Sequence, residues 1–184
     1  MNEPLIPEGR VLVGEQRIEI GRIAEVIVNF KREGYAAGKK AETLPDGSKS
    51  IKLGGGSFYY EDRWSGFDRS NGGGSETLRF GSSETEAPIV WRMNYFGGIE
   101  QGLVRDDHLS ERIFAFLKKA LLNVENGRPF RGPEIPFASE DLFYICRTRG
   151  DFSRFSGAEE IFIPNLGMVY SGNINGGLLV PHDN

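Results

Sequence analysis

Four carboxylates stand where a proton-transferring pair would need them: Asp62 and Glu76 in the first half of the chain, Asp151 and Glu159 in the second. Two of them facing one cleft with separated pKa values would make an acid and a base. Aromatic residues crowd the neighbourhood of Asp62, with Tyr59, Tyr60 and Trp64 beside it and Trp91, Tyr95 and Phe96 further on. Such side chains wall binding pockets, and they also fill small β cores, which is the commoner use. The first-half aromatics, mixed with Asp62, Arg92 and Asn94, are where apolar walls and convergent polar groups would coincide. Tyr60, Asp62, Trp64, Trp91, Arg92, Asn94 and Tyr95, with Asn173 from the second half, are therefore the candidate ligand-binding residues. Asparagine is uncommon inside a strand and carries both a donor and an acceptor group. A structural asparagine fixing a bulge is the weightier explanation of Asn94 and Asn173. Arg69 and Arg154 each follow a phenylalanine by two positions and suit bidentate binding of a carboxylate or phosphate. Pairing with nearby acids such as Asp68 or Glu160 is their simpler use.

Other chemistries find less support. His108 and His182 are the only histidines, and neither has a partner at metal-ligand spacing. Cys146 stands beside Arg147, which would lower its pKa, but no histidine is placed to act as its base, so a buried inert thiol is expected. Gly54-Gly55-Gly56-Ser57 and Gly72-Gly73-Gly74-Ser75 feed strands, whereas a phosphate loop feeds a helix. They read as turns. Arg128-Pro129-Phe130-Arg131-Gly132-Pro133 is a rigid basic loop, suited to an acidic partner or to a plain crossover. No catalytic residue, metal ligand or cofactor site is expected.

Composition narrows the class. Of the 184 residues, 39% are hydrophobic and 26% charged, as in an ordinary globular domain. A net charge of −4 and a pI near 5.4 disfavour direct nucleic-acid binding. A single cysteine forms no internal disulfide and fits a reducing cytoplasm. No apolar run has the length of a membrane span, and Met1 to Pro7 lacks the regions of a signal peptide.

The elements that must position these residues follow from periodicity and from self-similarity. Phe58, Tyr59, Phe67 and Arg69 reappear as Phe143, Tyr144, Phe152 and Arg154, all 85 positions on. A second block, Val90 to Gly98, matches Val169 to Gly177 at an offset of 79. Apolar spacing predicts a helix over about 21–33, although its β-branched content would also suit a strand. Ile113, Phe114, Leu117, Ala120 and Leu121 predict a second helix, with Ser110 as N-cap. Three strands follow each. The expected fold is α+β: an internally duplicated helix plus three-stranded antiparallel sheet, (αβββ)2, with a pseudo-twofold axis. One domain, 1–184, would comprise an arm (1–20), a first repeat (about 21–100) and a second (about 108–180).

Several of these motifs resemble a bacterial domain-of-unknown-function family. They are Tyr60 and Asp62, Trp91 to Tyr95 with Gly97, Phe116 to Leu121, Pro129 to Pro133, Tyr144, Gly150 to Phe152, Glu159 to Phe162, and Gly176-Gly177. The resemblance covers roughly residues 23–180. That family is often found behind a helix-turn-helix of the XRE repressor type, which residues 1–22 here are too short to hold, so DNA binding is not carried over. The expected function is a cytoplasmic small-molecule- or partner-binding sensory module. The alternatives are a hydrolase-type enzyme using a carboxylate pair and a structural protein–protein interaction module. A small molecule or protein is the expected partner, with no membrane, and a homodimer is compatible.

Overall fold

The computed structural model describes residues 5–66, 71–104 and 106–183. The chain opens with a hairpin, β1 (Arg10–Val13) and β2 (Gln16–Glu19), and passes directly into α1 (Ile20–Glu33). Ile20, Ile23, Ala24, Ile27 and Phe30 are all buried, recurring at steps of three and four. That period decides for helix over strand, because only a helix brings these positions to one face. Four more strands lead up to the long β7: β3 (Glu42–Thr43), β4 (Lys49–Gly55), β5 (Phe58–Gly66), β6 (Asn71–Phe80), then β7 (Ile89–Ile99). The second helix, α2 (Asp107–Leu121), precedes β8 (Phe137–Ser139), β9 (Leu142–Asp151), β10 (Arg154–Ile163), β11 (Gly167–Leu178) and β12 (His182–Asp183). Asp106, not Ser110, caps α2: its carboxylate accepts from the Leu109 N–H at 2.9 Å, while Ser110 is buried within the helix. A free carboxylate at a helix N-terminus also meets the positive end of the dipole.

Nine strands form one antiparallel sheet in the order β3-β4-β5-β6-β7-β11-β10-β9-β8, and β12-β1-β2 form a small second sheet. Inward positions alternate along each strand: Phe58, Tyr60, Asp62 and Trp64 on β5 are buried, and so are Leu142, Tyr144 and Cys146 on β9. The helices pack on this face. Phe30 of α1 stacks on Tyr60 at 5.7 Å, and Phe116 of α2 on Phe137 at 5.6 Å. Burying each such ring stabilises the fold by roughly 1.5–3 kcal/mol.

This architecture overturns the α+β duplication. The molecule is mostly β, and it is not a (αβββ)2 pair related by a pseudo-twofold. The stretch read as an arm forms strands β1 and β2, and β3 and β4 precede β5 within the first repeat, so the strands before and after α2 are not two matching triplets. In the first matched block the paired residues occupy opposite faces, whereas in the second Trp91 and Tyr170 are both buried and Asn94 and Asn173 both exposed. Phe58 is buried inward, whereas Phe143 is exposed on the outer face. Strand side chains alternate with period two, so a slip of one position reverses every side chain. Phe67 and Arg69, which carried part of the match, lie outside the described residues. The triplet Gly72-Gly73-Gly74, read as a turn, runs inside β6, as the pairs Gly97-Gly98 and Gly176-Gly177 run inside β7 and β11.

Candidate functional site

The inner face of the sheet should be apolar, yet its centre is charged. Asp62 on β5 and Glu76 on β6 are register partners, so both project under the helices side by side. Glu159 joins them on the same face from β10, beyond β7 and β11. All three carboxylates are at least 95% buried. Two cations answer them. Lys31, on the last turn of α1, brings Nζ to 2.7 Å from Glu76 Oε2 and donates to the Phe130 carbonyl. Arg131, from the crossover between α2 and β8, reaches Glu76 Oε1 at 3.5 Å and grips Glu159 through Nε at 3.3 Å and Nη2 at 3.2 Å. Tyr144 and Tyr170 donate to the two oxygens of Glu159 at 2.9 and 3.1 Å. Glu159 thus receives four bonds, which makes its burial tolerable as a charge.

Asp62 is treated differently. Tyr95 Oη donates to it at 2.6 Å, and no cation pairs with it among the described residues. Burial, followed by the negative charge of Glu76, pushes its carboxyl up to about 7. Burial likewise lowers Lys31, against the pull of Glu76. Tyr95, Tyr60, Tyr144 and Tyr170 are all driven well above the usual phenol range, first by burial and then by the neighbouring carboxylates, so they act as donors.

Two adjoining hollows open above Asp62, sharing Tyr35, Asp62 and Arg131. Each holds about 20 Å³ wide enough for a water, and the roughly 320 Å³ of unfilled space around it includes the open solvent at its mouth. One is floored by the Lys31–Glu76 pair. The other is walled by Trp64, Tyr95, Phe114 and Leu117. Tyr35, half-buried just after α1, meets the Trp64 ring edge-on at 5.4 Å and lies under the Lys118 ammonium at 4.7 Å. Glycines make this room. In register, Gly74 sits between Trp64 and Tyr95. A side chain there would meet Tyr95 Oη at 2.6 Å and Trp64 Cβ at 2.8 Å. A Cβ on Gly172 would likewise press Glu159 at 3.0 Å.

Of the residues singled out in the sequence, Tyr60, Asp62, Trp64 and Tyr95 converge on this cleft. Trp91 shares the inner face but stacks on Phe152 at 5.8 Å and Phe155 at 6.2 Å, inside the core. Arg92, Asn94 and Asn173 alternate onto the opposite face. There Asn94 donates to Asn175 at 3.1 Å, and its register partner is that residue rather than Asn173. Among the four carboxylates, Asp151 is absent from the cluster. It caps a turn by accepting from Ser153 N at 2.8 Å and Arg154 N at 3.2 Å. Lys31, Tyr35, Tyr144 and Tyr170 were not anticipated, and Arg131 was seen only as part of a basic loop. The inward parity of Tyr144 and Tyr170 was the readable signal for those two. Lys31 fills an inward position of the α1 face, where an apolar residue would be expected. Cys146 is buried on β9, where Arg128 Nη2 donates to its carbonyl at 2.9 Å and lies 3.4 Å from Sγ.

The described residues hold no group of three or more His, Cys, Asp or Glu placed to bind a metal ion, and none of their helices is long and apolar enough to cross a membrane. No curated protein and no solved structure matches the chain. A family model described as "Domain of unknown function (DUF5680)" matches residues 62–179. That stretch begins at Asp62 and contains Glu76, Tyr95, Arg131 and Glu159, while Lys31 and Tyr35 precede it. With well over half of its length matched, from Asp62 in the cleft to the end of β11, the chain belongs to the DUF5680 family.

Proposed function

We propose that this protein is a binding module that takes a small molecule in the cleft above Asp62, and that occupancy of the cleft is what it reports to a partner. One observation carries this reading. Asp62 is a buried carboxylate with a tyrosine donor but, among the described residues, no cation, and it floors a hollow walled by Tyr35, Trp64 and Tyr95. A buried ionic network contributes little net stability, so stability alone gives weak reason for one. Perturbed titrating groups at a cleft are more typical of sites that act on something. The resemblance to domains carried behind XRE-type regulators supports a sensory role, and the single buried Cys146 suits a reducing cytoplasm.

A thermal-shift screen against a metabolite set, followed by calorimetry, tests the reading. At least one compound should stabilise the wild type, and the shift should vanish in Trp64→Ala. Hits that persist in that variant would place binding elsewhere.

A second reading is favoured by the pairing of Asp62 with Glu76. Two adjacent carboxylates, one raised to about 7 and the other held by Lys31 and Arg131, form an acid/base set for a hydrolase-type reaction. It predicts that a bound compound is converted on standing, and that Asp62→Asn abolishes conversion while binding persists. Mass spectrometry of the recovered ligand separates the two readings.

A further inference from the structure

Resting on that reading of the cleft, we propose that its ligand is an organic monocation, an amine whose ammonium is received by Asp62 while Tyr35, Trp64 and Phe114 enclose its apolar part. The first argument is charge. Two cations, Lys31 and Arg131, face three carboxylates, and both cations are spent on Glu76 and Glu159. Among the described residues Asp62 is the negative group left over, so a ligand bearing one positive charge completes the balance. The second argument is hydrogen bonding. An ionised carboxylate only accepts, and an ammonium only donates. Tyr95 occupies Oδ1 of Asp62, and further acceptor capacity remains for a donor entering from the hollow. The third is the wall. Aromatic faces attract cations. The Tyr95 face is already taken by Arg131, whose guanidinium carbon lies 4.7 Å from the ring centroid. The Tyr35 ring already carries the Lys118 ammonium at 4.7 Å, which leaves Trp64 as the cation-facing ring on the mouth side. An anionic ligand would meet Asp62 where the two cations lining the hollows, Lys31 and Arg131, are already committed to Glu76 and Glu159.

Binding of this kind is linked to pH. The groups facing Asp62 are Lys31 of α1, Tyr35 after it, Tyr60 on its own strand, Glu76 of β6, Tyr95 of β7 and Arg131 of the crossover. Burial and Glu76 raise its carboxyl to about 7, opposed by Tyr95, Arg131 and Lys31. An ammonium joins the opposing set, so Asp62 sheds its proton when the ligand enters. From a free value of about 7, affinity should be about tenfold higher at pH 8 than at pH 6, with about half a proton released at pH 7.

The probes are phenethylamine, 2-phenylethanol and 3-phenylpropanoate, which share a phenyl end and differ in charge. Calorimetry at pH 6, 7 and 8, in two buffers of different ionisation heat, reads affinity and proton release together. The proposal expects phenethylamine to bind at least tenfold tighter than either other probe. It expects that preference to disappear in Asp62→Asn, which keeps an acceptor for Tyr95. Tighter binding of the alcohol or the carboxylate, or amine binding unchanged in Asp62→Asn, overturns it. So does a pH-independent affinity in the wild type, which needs no variant to fold. Failure of all three probes, while some other metabolite binds in a Trp64-dependent way, overturns the amine assignment and leaves the cleft standing. Hits that ignore Trp64 remove both.

Discussion

Arg131 is the residue on which the buried charges depend. Its guanidinium is shared between Glu76 and Glu159, so removing it leaves two carboxylates short of a partner in a dry interior. Breaking a buried pair from one side costs about 3–5 kcal/mol, far more than a surface pair contributes. Arg131→Met should therefore lower stability by about that amount in urea unfolding, and adding Glu159→Gln should recover part of it. Asp62 makes an opposite kind of prediction. Its carboxyl ionises near 4 when unfolded and near 7 when folded, so the folded state holds the extra proton between those values. Stability from this group is full below pH 4 and is lost as pH rises to about 7. Asp62→Asn should flatten that slope, and unfolding midpoints at pH 4, 5.5 and 7.5 would show it. Part of this site was legible before any fold was known. Tyr60, Asp62 and Trp64 alternate on one strand, so whichever face one of them takes, the others share. Arg92 and Asn94 fail for the same reason, since they fall on the wrong parity relative to Trp91 and Tyr95. Lys31 and Arg131 come from 31 and 55 positions away from Asp62 and Glu76 respectively, and no local pattern encodes such a meeting.

Glycine misled the reading at the level of elements. Clustered glycines mark turns when positive φ is needed, but here several serve as absent side chains within strands. Gly74 is the clearest, because Trp64 and Tyr95 flank it in register and the cleft opens over the gap. Gly74→Ala should close that gap, displace the Tyr95 hydroxyl and cost 1–3 kcal/mol, roughly the penalty of overpacking. It should also abolish any thermal shift given by a cleft ligand. Helices were more readable. The buried stripe on each has the period that only a helix satisfies, and their bounds follow within a few residues. The cap of α2 was misassigned because Ser110 looks like a cap by type, whereas Asp106 is the residue with a free N–H in reach.

At the scale of the whole molecule, one seam joins the early strands to the late ones. Strands β7 and β11 pair from Tyr170↔Ile99 to Leu178↔Trp91, and every other link in the sheet lies to one side of them. Gly176 lies in this seam, where an added methyl would meet Met93 Cα at 2.8 Å and Phe155 Cζ at 2.9 Å. Gly176→Ala should destabilise the protein by more than 2 kcal/mol, in the manner of a strained core position. Fluorescence and far-UV circular dichroism should still report one shared transition, because a continuous sheet has no natural place to divide. The choice between a duplicated fold and this single sheet was not available from local patterns, since strand-to-strand order depends on pairings made far apart in the chain. The lone thiol, Cys146, offers a clock for this seam's cooperativity. Sealed behind Arg128, it reacts with a thiol reagent only when the late strands part from their cover. Trp64 lies on the early side. Should the modification rate and the exposure of Trp64 to a quencher share one opening free energy, the two flanks rise and fall together. A faster sulfur would mark the late flank as the part that breathes.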